Sequence, residues 1–357
     1  MKKALAFLLC ALMVLSLAAC GGSDSGTTPQ TSNQPAASTQ SGGEGGQTAE
    51  TVDTNAKPAS WPKGTITYEC GYAAGGTQDL VVRDLSQFAE EYTGNSHYVE
   101  NITGGSGLIM VNDVFSRDAD GSTACIYSCT IPTAADYQYF PSDLLDALLK
   151  ADVQIYEQLV PVSQVNVDYP AVFIREDESR FTTFKEMADY IEAHPGELSI
   201  GATGASGNGG LMIQTFKNKF GWDLNDVYYD STPEEKAAML NGELDIMCTT
   251  VAWSATSDGF TCIGYAAAEP NSYYPGVPTI KDQGYDFVAT MRRGMFVKKG
   301  TDQAIIDYME KMYADICTSQ EYIDSEAKMN YSVDYASAAD FYSALSEAVE
   351  GYYSFKG

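Results

Sequence analysis

Two histidines in 357 residues leave little material for imidazole chemistry. His97 stands at the edge of a strand-like run and His194 in the turn His194-Pro195-Gly196, so both read as surface or turn residues. A Ser-His or Cys-His triad, or a histidine-based metal site, has almost nothing to draw on. Cationic side chains are also scarce, with 21 Lys and Arg against 48 Asp and Glu and a net charge of −27. This excludes nucleic acid as a partner, because that affinity rests on neutralising phosphates. No CxxC pair occurs, and Cys125 and Cys129, four apart in a strand-like run, are too distant to bridge if extended. No metal and no cofactor is indicated. A phosphate loop, GxGxxG and GxSxG are all missing: Gly207-Asn208-Gly209-Gly210-Leu211-Met212 fails at its last position, and Gly204-Ala205-Ser206 runs on into Gly207-Asn208. Acidic residues are plentiful, but choosing two of them as an acid and base pair would be arbitrary. What these absences leave is binding rather than catalysis.

Long apolar runs are missing too, except at the start. Lys2 and Lys3 form a positive region, Ala4 to Leu17 an apolar one, and small residues lead to Cys20, which reads as an export signal too short to span a bilayer. Leu17-Ala18-Ala19-Cys20-Gly21 resembles the bacterial lipobox, whose cysteine is lipidated and becomes the first mature residue. An ordinary cleaved signal with an incidental Cys20 is the alternative. Each buried CH₂ of an acyl chain contributes ~0.8 kcal/mol, so a multiply acylated Cys20 would anchor the chain stably to the membrane. From 21 to about 60 the chain is rich in Gly, Ser, Thr, Gln and Pro; it cannot bury enough surface to offset its ordering entropy. A coil of ~40 residues spans roughly 35 Å, a tether for a body held outside the cell membrane.

The body begins near Trp61 and has enough apolar residues, 44% over the whole chain, for a sizeable core. Six cysteines fall in it. Cys70 with Cys125, or Cys248 with Cys262, can face one another on neighbouring strands in an exported protein; buried thiols are the alternative. Strand-like runs (GTITYECGY, HYVENI, TACIYS, AVFIR, LSIGA, DVYY, LDIMC, TCIGYA) alternate with helical ones (LVVRDLSQFAEEY, TFKEMADYIEAH, GLMIQTFKNKFG, PEEKAAML), and two further helices end the chain. The alternation predicts an α/β fold of mainly parallel sheets with helices on both faces.

In such sheets, ligands sit beyond the carboxyl ends of strands, where strand-to-helix loops project N–H groups. Two loops have that composition, Tyr72 to Asp79 and Gly201 to Gly210. Small residues let a ligand approach the main chain, and each helix N-terminus offers partial positive charge, so a carboxylate can be held without a basic side chain. Thr77 and Ser206 either cap their helices or donate hydroxyls; Asp79 either stabilises the helix dipole or accepts from the ligand.

These residues carry a resemblance. Ala73-Ala74-Gly75-Gly76-Thr77-Gln78-Asp79, then Val99-Glu100-Asn101 with Gly104-Gly105-Ser106-Gly107, resembles the substrate-binding proteins of tripartite tricarboxylate transporters, the TctC or Bug family. It continues through Thr183 to Met187, His194 to Gly201, Asn241 to Asp245, and Pro275 to Thr279 with Gly284. The resemblance implies a type II periplasmic-binding-protein fold, two α/β lobes joined by two crossing strands and closing on ligand by hinge motion. It places lobe 1 at 61–165 and 265–357 and lobe 2 at 166–264. Carried over, contacts come from Ala73, Ala74, Gly75, Gly76, Thr77 and Asp79 on one lobe, and from Thr203, Ser206, Gly207, Asn208 and Tyr229 on the other. The implied function is capture of a small organic acid for integral membrane permease subunits by a monomer; a sensory module of the same fold, or an α/β enzyme, is the alternative. Tyr228-Tyr229-Asp230-Ser231 departs from the family's Pro-Tyr-Lys-Gly, and Gly210 stands where a histidine is common. Loss of that lysine leaves tricarboxylates, monocarboxylates, amino acids and neutral compounds all open.

Overall fold

Apolar residues at alternate positions make Ile66–Cys70 (β1) a buried strand, and the Gly-rich turn that follows gives way to Thr77–Thr93 (α1), whose Val81, Val82, Leu85 and Ala89 face the core. The structure is a computed structural model that describes residues 56–132, 138–139, 155, 158–252 and 258–356. The signal-like segment, Cys20 and nearly all of the tether lie outside the described residues. From β1 the chain continues through His97–Asn101 (β2), Leu108–Ser116 (α2), Thr123–Pro132 (β3) and Leu159–Asp168 (β4), then enters a second sheet at Pro170–Arg175 (β5). There follow Phe184–Ala193 (α3), Ser199–Thr203 (β6), Asn208–Lys219 (α4), Asn225–Tyr229 (β7), Thr232–Leu240 (α5), Ile246–Thr250 (β8) and Phe260–Tyr265 (β9). The chain returns as Ala289–Lys298 (β10) and ends in Gln303–Thr318 (α6), Gln320–Lys328 (α7), Val333–Ser337 (β11) and Ala338–Lys356 (α8).

Two sheets result, ordered β11-β4-β10-β3-β1-β2 and β7-β6-β8-β5-β9. Neither is mainly parallel. β1 pairs parallel with β2 and β3, and β6 with β7 and β8, where a helix makes the crossover. β10 with β3 and β4, β11 with β4, and β5 with β8 and β9 are antiparallel. The sequence pattern of helix-linked strands extends only to the parallel pairings of each sheet; every antiparallel pairing involves one of the strands at which the chain changes sheet, β4 to β5 and β9 to β10.

Each sheet is covered on both faces. In the first, α1 and α6 pack Val82, Ile305 and Met309 against Ile66 and Tyr68, while α2 and α8 pack Met110, Val114 and Phe341 against Cys125 and Phe296. In the second, Phe184 of α3 and Phe216 of α4 meet edge to face at 5.5 Å, with Trp222 at 5.1 Å from Phe216. Sequence periodicity found α1, α3, α4, α5, α6 and α8 but not α2, α7, β4, β10 or β11. In β10 the pair Arg292-Arg293 interrupts an apolar run, yet this strand lies between β3 and β4 in the middle of the first sheet.

No disulfide joins Cys70 to Cys125 or Cys248 to Cys262; all four are thiols, and burial raises each of them, Cys70 and Cys262 to about 12. They pack as small apolar side chains and are poor nucleophiles. Among the described residues no helix is long and apolar enough to cross a membrane, and no group of three or more His, Cys, Asp or Glu is placed to hold a metal ion. Both histidines are engaged locally. His97 Nε2 lies 2.8 Å from Thr93 Oγ1, with burial driving the ring down to about 4, and His194 stacks on Tyr190 at 4.1 Å.

Candidate functional site

The two loops close the carboxyl ends of β1 and β6, one in each sheet. Each helix that follows begins on a glycine: Gly76 caps α1 with φ −78° and ψ 163°, and Gly207 caps α4 with φ −77° and ψ 175°. Neither contributes a side-chain acceptor, whereas Thr183, Ser231, Asp302 and Ser319 accept main-chain N–H bonds at the starts of α3, α5, α6 and α7. Thr77 and Ser206 therefore do not cap: Thr77 is the first residue of α1, where it hydrogen-bonds the buried Tyr331 phenol, and Ser206 precedes the cap of α4. The N-terminal N–H groups of α1 and α4 are left to other acceptors.

The first loop is held by Asp79. Gly75, in a left-handed conformation at φ +82° that favours glycine, donates its N–H to Asp79 Oδ2 at 2.9 Å. Arg83 Nε lies 2.9 Å from both carboxylate oxygens, and Asn101 Nδ2 donates to Asp79 Oδ1 at 2.7 Å and to the Tyr72 carbonyl at 2.8 Å. Burial pushes the Asp79 carboxyl up, but Arg83, the Gly75 N–H and Asn101 outweigh it and hold the group below the usual carboxylate range. At 1% exposure, with this many donors, Asp79 has its oxygens committed inside the loop. Ala74 and Gly75 are exposed, Ala73 is half-buried, and Gly76 is buried with its N–H on the Ala73 carbonyl at 3.2 Å. Gln78 ties the start of α1 to β3 through the Ile126 carbonyl, 3.0 Å from its Nε2. Asp79→Asn removes the charge from this cluster and strands Arg83; the expected loss is about 1–3 kcal/mol, read as a lower urea midpoint.

The second loop is held by main chain and close packing. Gly204 N–H donates to the Tyr229 carbonyl at 3.0 Å, which fastens the loop to β7. A Cβ on Gly209 would stand 2.2 Å from the Cys248 carbonyl oxygen, and one on Gly210 2.2 Å from the Ala205 carbonyl oxygen, so α4 approaches β8 and its own loop as only glycine permits. The Tyr229 ring lies against Gly201, 3.1 Å from where a Cβ would be, so Tyr229 joins the loop through its carbonyl. Asn208 opens α4, and its Nδ2 is buried without a hydrogen-bond partner. Thr203 ends β6; its Oγ1 lies 2.9 Å from Glu235 Oε2 of α5 and 3.3 Å from Thr232 Oγ1.

Where the chain leaves the first sheet, Asp168 is fully buried. Its Oδ2 lies 3.2 Å from Arg293 Nη2, and its Oδ1 accepts from the N–H groups of Tyr169 at 2.8 Å and Ala252 at 3.3 Å. Arg293 is 1% exposed and also bonds Asn166. Sequence reading missed Asn101, Arg83, Glu235, Asp168 and Arg293. Asn101 had a signal, standing in the Val99-Glu100-Asn101 motif; nothing local separates Glu235 from its neighbour Glu234.

Two α/β lobes, each with a glycine-started helix at the end of a strand one in from the sheet edge, joined where strands pass from sheet to sheet, define a two-lobed periplasmic-binding-protein fold. Residues 81–351 match the model of the tripartite tricarboxylate transporter family receptor, and the chain belongs to that family. It is 23% identical to protein BugT of Bordetella pertussis over 273 residues, 75% of this chain and 81% of the relative. It is also 23% identical to a UPF0065 protein in the gbd 5′ region of Cupriavidus necator, over 84% of this chain and 88% of that one. Among solved structures, the periplasmic binding protein BugD superposes with a TM-score of 0.70 at 19% identity, covering 83% of this chain and 98% of BugD. MatC from Rhodopseudomonas palustris with bound malate gives 0.69 at 20%, covering 82% and 98%, and a second R. palustris protein with adipate gives 0.69 at 17%, covering 81% and 95%.

Proposed function

We propose that the chain is an extracytoplasmic solute-binding lipoprotein that captures a small dicarboxylate between its lobes and delivers it to integral membrane permease subunits. The observation that carries this reading is the pair of uncapped helix starts at Gly76 and Gly207. A carboxylate at each would meet main-chain donors and the positive end of a helix dipole, equivalent to roughly half an elementary charge. Two such ends suit a ligand with two acid groups, and malate and adipate in the two R. palustris neighbours fit that chemistry. In this reading Ala73 to Thr77 form one wall and Thr203 and Ser206 to Asn208 the other, with Asn208 Nδ2 as a side-chain donor. Asp79 shapes the first wall from behind instead of touching the ligand, and Tyr229 holds the second through its carbonyl. The lobes divide where the chain changes sheet, at 168–170 and again between 265 and 289.

Export by the N-terminal signal, lipidation at Cys20, tethering through 21–60 and a monomeric state complete the proposal, with binding and no turnover as the activity. A thermal-melt screen of malate, adipate, longer dicarboxylates, tricarboxylates, aromatic acids and amino acids tests it. A dicarboxylate at a hundredfold excess over its Kd stabilises the body by about 2.7 kcal/mol. No shift with any acid would sink the receptor reading, and conversion of a hit into product would replace it with an enzyme.

A further inference from the structure

Beneath the second loop lies a carboxyl group that the binding reading does not use. Glu235, in the first turn of α5, is fully buried; its Oε2 is 2.9 Å from Thr203 Oγ1, and its Oε1 has no hydrogen-bond partner. The elements packed on α5 bring it no positive charge. β7 presents the Tyr229 phenol, with Glu243 beyond it, β8 the Cys248 thiol and the Cys248 main-chain N–H, and β6 only the Thr203 hydroxyl; Thr232 on α5 adds a second hydroxyl to Thr203. Exposed first-turn acids stabilise a helix start, as Glu234 does on the N–H of Asp230. A buried one with an unpaired oxygen carries, whenever it is charged, a desolvation cost that the Thr203 hydroxyl and the Cys248 main-chain N–H relieve only in part.

We propose that Glu235 is a positioning residue that makes ligand capture proton-linked: as the neutral acid it donates to Thr203 Oγ1 and frees the Thr203 hydroxyl hydrogen for a ligand carboxylate. The inference rests on Thr203 lining the ligand site. A hydroxyl has one hydrogen and two lone pairs. When Glu235 is ionised, that hydrogen is spent on Oε2, and Thr203 turns only lone pairs toward an incoming anion with a second negative charge behind them. When Glu235 takes a proton from solvent, its O–H occupies one Thr203 lone pair and the Thr232 hydroxyl the other, and the Thr203 hydrogen is released. Burial is the main cause that moves the Glu235 carboxyl up to about 8, so the exchange falls within an accessible pH range. Since ligand binding favours the protonated form, binding above that value draws a proton in, and affinity falls as pH rises.

Calorimetric titration of the whole mature protein with malate and with adipate at pH 6, 7, 8 and 9, in two buffers of different ionisation enthalpy, tests this. The expected Kd is level from pH 6 to 7 and weakens by up to about tenfold per pH unit above ~8, with uptake rising toward one proton per ligand. Glu235→Gln, whose amide donates to Thr203 at every pH, gives a level Kd across the range and no uptake; Glu234→Gln keeps the wild-type slope. A level wild-type profile with binding intact overturns the proton link alone, as does a Glu235→Gln protein that retains the slope. Absence of binding by either acid at every pH overturns the dicarboxylate reading and this proposal with it.

Discussion

Arg293→Met lowers the stability of the folded body by about 3–5 kcal/mol, among the largest losses expected of a single side chain outside the apolar core. The guanidinium is 1% exposed and Asp168 is not exposed at all, so removing the cation leaves a carboxylate in the interior with only the N–H groups of Tyr169 and Ala252 for company. Asp168→Asn strands the cation instead and keeps an amide oxygen for those two donors, so a loss of the same order is expected. The double variant Arg293→Met, Asp168→Asn removes both charges. It should recover more than half of either loss, because the penalty of each single change is the lone charge it leaves behind. Chemical denaturation of the four proteins measures the cycle; a double variant no more stable than Arg293→Met would mean that the two groups are not coupled. The effect reaches beyond stability, since Asp168 is the last residue of β4, Pro170 two residues on opens β5, and Ala252 stands two residues past β8. The ion pair pins the passage from one sheet to the other.

Gly210→Ala is expected to weaken malate or adipate binding by at least about tenfold, or ~1.4 kcal/mol, while costing the fold about 1–3 kcal/mol. The added methyl would stand 2.2 Å from the Ala205 oxygen and 2.6 Å from that of Gly204, both main chain, so relief requires the loop to move. Gly209→Ala presses on the Cys248 carbonyl of the sheet and should cost more stability for a similar loss of affinity. Gly64→Ala, with nothing within 4 Å of the new methyl, serves as the neutral control. Melting and calorimetry on the same preparations separate the two effects. If Gly210→Ala keeps a wild-type Kd in a folded protein, the Gly204 to Ser206 turn does not line the ligand site. Gly210 also marks a departure from the histidine common in the family: the packing around it has no room for any side chain at all.

Sequence and structure part company where a residue's meaning depends on what lies across the fold. The two small-residue loops were legible because composition alone, glycine and alanine between a strand and a helix, fixes that kind of turn. Asp79 was not: as a first-turn acid it reads equally as a dipole partner or a ligand contact, and only the convergence of Gly75, Arg83 and Asn101 on it commits its oxygens inward. Glu234 and Glu235 sit side by side in one capping turn and differ solely in which faces solvent. β10 stayed hidden because a buried arginine breaks its apolar pattern, and the sequence cannot show that Asp168, 125 residues away, meets it. The mixed sheets have the same origin, since local periodicity reports which strands a helix connects and is silent on those that cross between sheets.

If the glycine caps at Gly76 and Gly207 hold the ligand as proposed, they have an evolutionary consequence. Peptide groups belong to every residue, so a receptor that grips its ligand through them retains the grip while nearly all its side chains drift. The two R. palustris neighbours, at 17–20% identity, keep this fold, one with malate and the other with adipate. Diversification then falls to the residues around the grip, where a lost lysine, a buried acid or one exposed alanine can redirect a receptor to a new nutrient without rebuilding it.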